Sequence, residues 1–272
     1  QVWRARLNRT EPANHCPPLR TMNAITASHW PYPRWIAHRG AGKLAPENTL
    51  AAFRLGAQHG YRMFECDAKL SADGVPFLLH DATLERTTNG RGTGGDLPLG
   101  ALAQLDAGSW HSRAYAGEAV PTLEALARFC IANGYFLNIE IKPTPGQEET
   151  TGRVVGETAA RLWQGQAVPP LFSSFKPDAL AGAQATAAHI PRALLLDTLW
   201  DGCLDTARRL GCVAIVCNHA LWDAALVAQV KGMGMRTLSY TVNDDWAAQR
   251  LIALGTDGII TDRVDLFSPA TP

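Results

Sequence analysis

The chain has 272 residues, with 25 basic and 25 acidic side chains and a formal net charge of zero. That length holds one large domain or two small ones and buries a core without disulfide or metal support, and the balanced charge excludes attachment to nucleic acid by bulk electrostatics. Hydrophobic residues at 46% and charged residues at 18% exclude a disordered chain, and no run nears the roughly 18 apolar residues of a membrane span, so stable membrane insertion is not expected.

Residues 1–34 hold Pro12, Pro17, Pro18, Pro31 and Pro33 and lack helical or strand periodicity. They are expected to form a disordered arm, with Met22 a candidate internal start and the residues before it an upstream or added extension. No apolar run in the first 22 residues resembles a secretory signal. Cys16, Cys66, Cys130, Cys203, Cys212 and Cys217 include no C-x-x-C pair and read as free thiols. Both features point to the cytoplasm.

From Trp35 short apolar runs alternate with longer amphipathic ones. Strands are predicted at 35–38, 62–70, 135–142, 171–173, 192–196, 213–217, 236–242 and 258–261. Helical patterns lie between them at 47–59, 121–133, 150–164, 177–187, 201–210, 221–233 and 244–254. Thr122, Asp223 and Asn243 are start signals, and Gly60, Gly134, Gly211, Gly234 and Gly255 are stop signals. Eight strands alternating with helices predict a (β/α)8 TIM barrel over 35–268. A doubly wound open sheet fits less well, because His38-Arg39-Gly40-Ala41-Gly42 lacks the third glycine of a dinucleotide-binding turn.

One segment breaks the alternation. Residues 71–74 (SADG) read as a hairpin turn, and 75–80 return as a strand. So short a return is antiparallel, which makes it the start of an insertion after strand 2, at about 75–118, forming a small cap. A two-residue turn at Asp73-Gly74 sets Asp67 opposite His80, and a four-residue loop at 71–74 sets Glu65 opposite His80.

Strand alternation places Glu65, Asp67 and Lys69 on one face of the second strand, and Asn138, Glu140 and Lys142 on one face of the third. The apolar faces meet helices, so the charged faces point into the barrel near its C-terminal end. Charge there is costly unless it is paired or bound to a metal. Three carboxylates suit a hard cation, Mg²⁺ or Ca²⁺. With Arg39 and Lys142 the cation suits a phosphate, and His38 and His80 suit acid–base work. The chemistry points to metal-assisted cleavage of a phosphate ester. Duller readings are a buried network of Glu65 and Asp67 with Lys69 or Arg62, and a simple Lys142–Glu140 pair.

His38-Arg39-Gly40, Pro46-Glu47-Asn48-Thr49, Glu65-x-Asp67, Asp73-Gly74-Val75-Pro76 with His80-Asp81, and Leu84-x-Arg86-Thr87-Thr88 follow one another in a pattern that resembles the glycerophosphodiester phosphodiesterase family, its bacterial cytoplasmic type. Later matches are Pro121-Thr122-Leu123-Glu124, Ile139-Glu140-Ile141-Lys142, Ser173-Ser174-Phe175, Tyr240-Thr241-Val242-Asn243 and Asp257 to Asp262. The resemblance implies a barrel with a small insertion, and one divalent cation held by Glu65, Asp67 and Glu140. It implies His38 and His80 as the acid–base pair and Arg39 on the phosphate. Glu47 is expected behind Arg39 or a ligand. Tyr240 stands where the family usually has Trp and keeps an aromatic wall against the substrate.

The expected reaction is hydrolysis of a small-molecule glycerophosphodiester to sn-glycerol 3-phosphate and an alcohol. His38 is assigned as base and His80 as acid, the reverse remaining open. Attack by water and attack by the glycerol 2-hydroxyl also remain open. A barrel lyase acting on sphingomyelin or lysophospholipid, and a barrel that only binds phosphodiesters, are the other readings. Head group and oligomeric state stay undetermined.

Overall fold

The computed structural model describes residue 25 and residues 29–270. Its elements run β1 (Trp35–Ala37), α1 (Leu50–Gln58), β2 (Met63–Leu70), β3 (Pro76–Leu78), α2 (Leu99–Leu102), α3 (Leu123–Asn133), β4 (Phe136–Ile141) and α4 (Glu148–Leu162). They continue β5 (Leu171–Ser174), α5 (Pro177–Thr186), β6 (Arg192–Leu196), α6 (Cys203–Arg209), β7 (Ala214–Asn218), α7 (Ala224–Gly232), β8 (Arg236–Tyr240), α8 (Asp245–Ala253) and β9 (Gly258–Thr261). All strands but β3 pair in parallel, in the order β1-β9-β8-β7-β6-β5-β4-β2, and β1 pairs with β2 to close the ring. The fold is a (β/α)8 barrel. No helix among the described residues is long and apolar enough to cross a membrane.

Period-two alternation builds two apolar layers from the same strands. In β6, Ala193 and Leu195 point into the barrel with Ile36, Met63 and Leu238, while Leu194 and Leu196 face the helices. In β2, Cys66 and Ala68 join that outer layer, leaving Glu65, Asp67 and Lys69 inside. Trp30 and Tyr32 pack against the inner cluster, and the Tyr32 hydroxyl donates to Pro169 O at 2.9 Å. The arm expected over 1–34 is therefore shorter at its C-terminal side: residues 29–34 belong to the packed structure because two aromatics plug the barrel floor. The rest of that expectation, including Met22 and Cys16, lies outside the described residues. Cys66, Cys130, Cys203, Cys212 and Cys217 are buried free thiols.

Local signals explain most helix starts. The side chains of Thr122 and Asp223 accept from Ala125 N and Leu226 N, closing the first turns of α3 and α7. The cap of α8 is Asp244, not Asn243 as expected, because the Asn243 side chain is engaged elsewhere.

β3 runs antiparallel to β2, as a short hairpin must. Its register differs from both that the sequence allows. Ala68 pairs with Leu78, Lys69 with Phe77 and Leu70 with Pro76, and the loop closes through Ser71 N to Val75 O at 3.0 Å. Strict alternation in this register would send His80 to the helix side with Cys66. The backbone bond from Leu79 N to Asp67 O at 3.1 Å still follows this register, but the chain then bends at His80 and leaves it. Between β3 and α3 the chain carries α2, and its Leu79, Leu84, Leu102 and Val120 form an apolar cluster with Phe77 of β3.

Candidate active site

Every strand of the barrel ends at the same rim, and the functional side chains sit there. His38 follows β1, and its backbone N donates to Thr261 O of β9 at 3.0 Å. The turn after it is left-handed at Arg39 (φ 51°) and Gly40 (φ 103°). Gly42 (φ 58°) lies so near the Asp262 backbone that any Cβ would collide with it. The turn holds His38 against the chain leaving β9. His38 Nδ1 lies 2.6 Å from Asp262 Oδ1, and Asn243 Nδ2 donates to the other Asp262 oxygen at 2.9 Å. Burial alone would raise the Asp262 pKa, but the hydrogen bond and charge of His38 outweigh it and hold the group at about 2.

The carboxylates converge from neighbouring strands. Glu65 and Asp67 are buried on β2, and Glu140 projects beside them from β4, with Asp67 and Glu140 in register. One oxygen from each lies within 4.8 Å of the others. Arg39 N donates to Glu65 Oε2 at 3.1 Å. Asn48, itself left-handed at φ 59°, donates Nδ2 to Asp67 Oδ2 at 2.9 Å and accepts from Asp67 N at 3.2 Å. Glu65 Oε1 and Asp67 Oδ1 are buried without a hydrogen-bond partner. Burial, with the charges of Asp67 and Glu140, pushes Glu65 well above the usual carboxylate range. Burial and Asp67 push Glu140 up to about 7. For Asp67 burial acts the same way, but Arg39, His80, Lys142 and the Asn48 amide hold it down at about 2. Two buried carboxylate oxygens without a partner, in a cluster where Glu65 and Glu140 resist ionisation, fit the oxygen donor set that a hard divalent cation takes.

Cationic side chains surround this cradle. Arg39 reaches Asp67 Oδ2 at 3.3 Å and Glu47 Oε1 at 3.0 Å. Lys142 Nζ donates to Glu140 Oε1 at 3.2 Å, so the Lys142–Glu140 pair read from the sequence forms. The Lys69 ammonium does not join the carboxylates: it donates to Lys142 O at 3.0 Å and His80 O at 3.4 Å, fixing two strand ends. Burial brings its pKa down to about 8. Arg62 donates outward to Gly134 O.

His80 reaches the site from the insertion. Its Nδ1 lies 2.8 Å from Asp81 Oδ1, and Arg86 donates to both Asp81 oxygens (Nε 2.6 Å, Nη2 3.1 Å) and to both Glu47 oxygens (2.8 and 2.9 Å). Glu47 therefore stands behind Arg39 and ties it to Arg86. Burial lowers the His80 pKa, and the Arg86 hydrogen bonds hold Asp81 well below the usual range. His38, Arg39, Glu65, His80, Glu140 and Lys142 line one cavity of about 290 Å³, with Tyr240 on its wall. Asp81, Asp262, Asn48 and Arg86 carry the geometry and were given no role from the sequence. All four lie inside the quoted motifs, and Asp81, Asn48 and Arg86 each directly follow a histidine or a carboxylate in the chain, a local signal that Asp262 lacks.

The chain matches the Glycerophosphoryl diester phosphodiesterase family over residues 38–266. The glycerophosphodiester phosphodiesterase of Caldanaerobacter subterraneus is 33% identical over 233 residues, 84% of this chain and 93% of that protein. A solved Oleispira antarctica phosphodiesterase, in complex with the product sn-glycerol-3-phosphate, superimposes with a TM-score of 0.79 and 36% identity, covering 85% of this chain and 93% of that one. The Agrobacterium tumefaciens glycerophosphodiester phosphodiesterase superimposes with a TM-score of 0.72 and 30% identity, over 87% and 99%. Motifs, fold and likeness over most of the chain agree: it belongs to the glycerophosphoryl diester phosphodiesterase family.

Proposed function

We propose that the enzyme hydrolyses glycerophosphodiesters to sn-glycerol 3-phosphate and an alcohol, using His38 and His80 as the acid–base pair and one divalent cation, Mg²⁺ or Ca²⁺, at Glu65, Asp67 and Glu140. The observation that carries the reading is the pairing of two aspartate-backed histidines with three converging carboxylates, two of whose oxygens have no partner. The product held by the Oleispira relative supports the substrate class. We assign the enzyme to the cytoplasm on the five buried free thiols among the described residues.

Arg39 and Lys142 bind the phosphate. Each histidine donates Nδ1–H to its aspartate, which turns Nε2 toward the cavity. His38 Nε2 takes the proton from the attacking hydroxyl as the new O–P bond forms. His80 enters the step protonated on both ring nitrogens and gives its Nε2 proton to the departing alkoxide oxygen as the old P–O bond breaks. Asp262 and Asp81 hold the ring tautomers and stabilise the imidazolium. When bound, the cation supplies positive charge to the phosphoryl oxygens.

The test is release of glycerol 3-phosphate from glycerophosphocholine by the EDTA-stripped protein, before and after adding Mg²⁺ or Ca²⁺. Restored turnover is expected; turnover unaffected by EDTA rejects the cation. Because Glu65 and Glu140 are raised and a cation must displace their protons, cation affinity should fall as pH drops through about 7. Affinity independent of pH between about 6 and 8 would remove these carboxylates as ligands.

A further inference from the structure

Lys69 is a buried cation that the reaction above does not use. Among the described residues no carboxylate bonds to its ammonium. Its bonds go instead to two backbone carbonyls, Lys142 O at 3.0 Å and His80 O at 3.4 Å. Taking an ammonium out of water for neutral acceptors is costly, and packing alone would be served by an apolar side chain of similar length. The two carbonyls belong to the residues assigned to the phosphate and to the departing oxygen, which gives the buried charge a purpose.

Both carbonyls lie where β2 loses its neighbours. On one side the β2–β4 ladder closes with Lys142 N to Ala68 O at 2.8 Å. On the other, Leu79 N to Asp67 O at 3.1 Å is the last bond before the chain bends at His80. Among the described residues no backbone N–H donates to Lys142 O or to His80 O. The Lys69 ammonium takes the place of the missing strand on both sides. Lys142 is thereby held through its N by Ala68 and through its O by Lys69, while its Nζ stays with Glu140 at 3.2 Å. His80 is held through its ring by Asp81, which belongs to the same insertion, and through its O by Lys69, which belongs to the barrel. A backbone carbonyl that shifts carries its own side chain with it, so a change at one ammonium displaces two functional groups.

We infer that Lys69 is a positioning residue: its one ammonium ties the backbone of His80 to that of Lys142, and so sets the spacing between the proton donor of the insertion and the phosphate-binding lysine of the barrel. This rests on the roles given to His80 and Lys142 above. Lys69 is absent from the lining of the cavity and acts through the two residues it holds. Rates are steep in such spacing, since a misplacement of about 1 Å can lower them about 100-fold.

The experiment measures kcat and KM for glycerophosphocholine and for a glycerol phosphodiester that releases nitrophenolate, in the wild type and in Lys69→Met, which keeps the length of the side chain and removes the ammonium. On glycerophosphocholine kcat should fall about tenfold, and on the nitrophenyl diester it should hold, because nitrophenolate leaves without a proton. KM should rise a few-fold on both substrates through Lys142. In a His80→Ala background Lys69→Met should leave kcat unchanged. A kcat loss equal on both substrates, a loss that adds to that of His80→Ala, or a KM that does not move overturns the tie, as does unchanged activity. Where a thermal unfolding curve shows that Lys69→Met does not fold, Lys69→Gln, which keeps a donor for one carbonyl, is read by the same criteria. Turnover of neither substrate by the wild type defeats the phosphodiesterase reading instead, and carbon NMR then decides the tie: carbonyl shifts of both His80 and Lys142 that change in the variant support it, and either one unmoved rejects it.

Discussion

His38 and His80 make the same bond, Nδ1 to an aspartate oxygen, through opposite constructions. The partner of His38 is 224 residues away, and only the closing of β1 on β9 brings Asp262 to it. The partner of His80 is its chain neighbour Asp81, steadied by Arg86 from the same insertion. The first pair is half-buried, with side chains 16% and 14% exposed; the second is more open at 28% and 30%. One histidine is thus set by the barrel, and the other by a segment that reaches the barrel through Arg86–Glu47, Lys69 and the β2–β3 ladder. A site whose two proton carriers rest on different bodies keeps its alignment only as well as the contacts between them.

The largest effects test the roles themselves. His38→Ala and His80→Ala should each lower kcat by about 10²–10⁴-fold. The leaving group separates them. A diester that releases a nitrophenolate needs no proton on the departing oxygen, so His80→Ala should recover most of its rate on it and His38→Ala should not. Recovery by His38→Ala instead would exchange acid and base.

The next tier replaces the partners. Asp262→Asn should lower kcat by about 10–100-fold, and Asp81→Asn by less, because solvent reaches His80 more readily. Both aspartates are held below the usual carboxylate range, so both should carry an acid signature in stability, that of the more exposed Asp81 being weakened by solvent screening. The Asp262 pKa is depressed to about 2, so its stabilising contribution is complete above the ordinary value and is lost as pH falls from about 4 to about 2. The wild type should exceed Asp262→Asn by about 2 kcal/mol at neutral pH, and the gap should close over that window. A gap that persists at pH of about 2 would mean the asparagine harms packing rather than charge.

The eight strands and seven intervening helices were legible because glycines punctuate the chain and apolar residues keep a period of two in the strands. Glu65, Asp67 and Glu140 were legible for the same reason: β2 and β4 are regular to their last residues. His80 was not derivable that way. Its hairpin closes through an odd number of residues, and it sits where pairing has ended, so neither alternation nor register fixes its side. Asp262 escaped because barrel closure, a property of the whole chain, makes it a neighbour of His38. Asn243 illustrates competition for one side chain: as a cap it would satisfy a single backbone donor, but beside Asp262 it both donates and accepts, and Asp244 caps in its place. Trp30 and Tyr32 lie among prolines in a stretch with no period, so their burial depends on the floor they meet rather than on any local pattern.

The smallest effect bears most directly on the two-body view. Arg86 is 44% exposed, yet it bridges Asp81 of the insertion to Glu47 of the β1–α1 loop. An exposed ion pair of this kind contributes only about 0–1 kcal/mol and weakens with salt. Arg86→Ala should therefore shift thermal stability slightly, with the shift shrinking as salt rises from about 0.05 to 0.5 M. Its effect on kcat should be a few-fold and should follow His80, falling on substrates with a poor leaving group and vanishing on nitrophenyl diesters. The more enclosed His38–Asp262 pair should show a weaker salt dependence, since screening reaches it less well. A loss at Arg86 that is insensitive to both salt and leaving group would mean that Arg86 acts through Glu47 on Arg39 and the phosphate, and that the insertion is held in place by its hairpin alone.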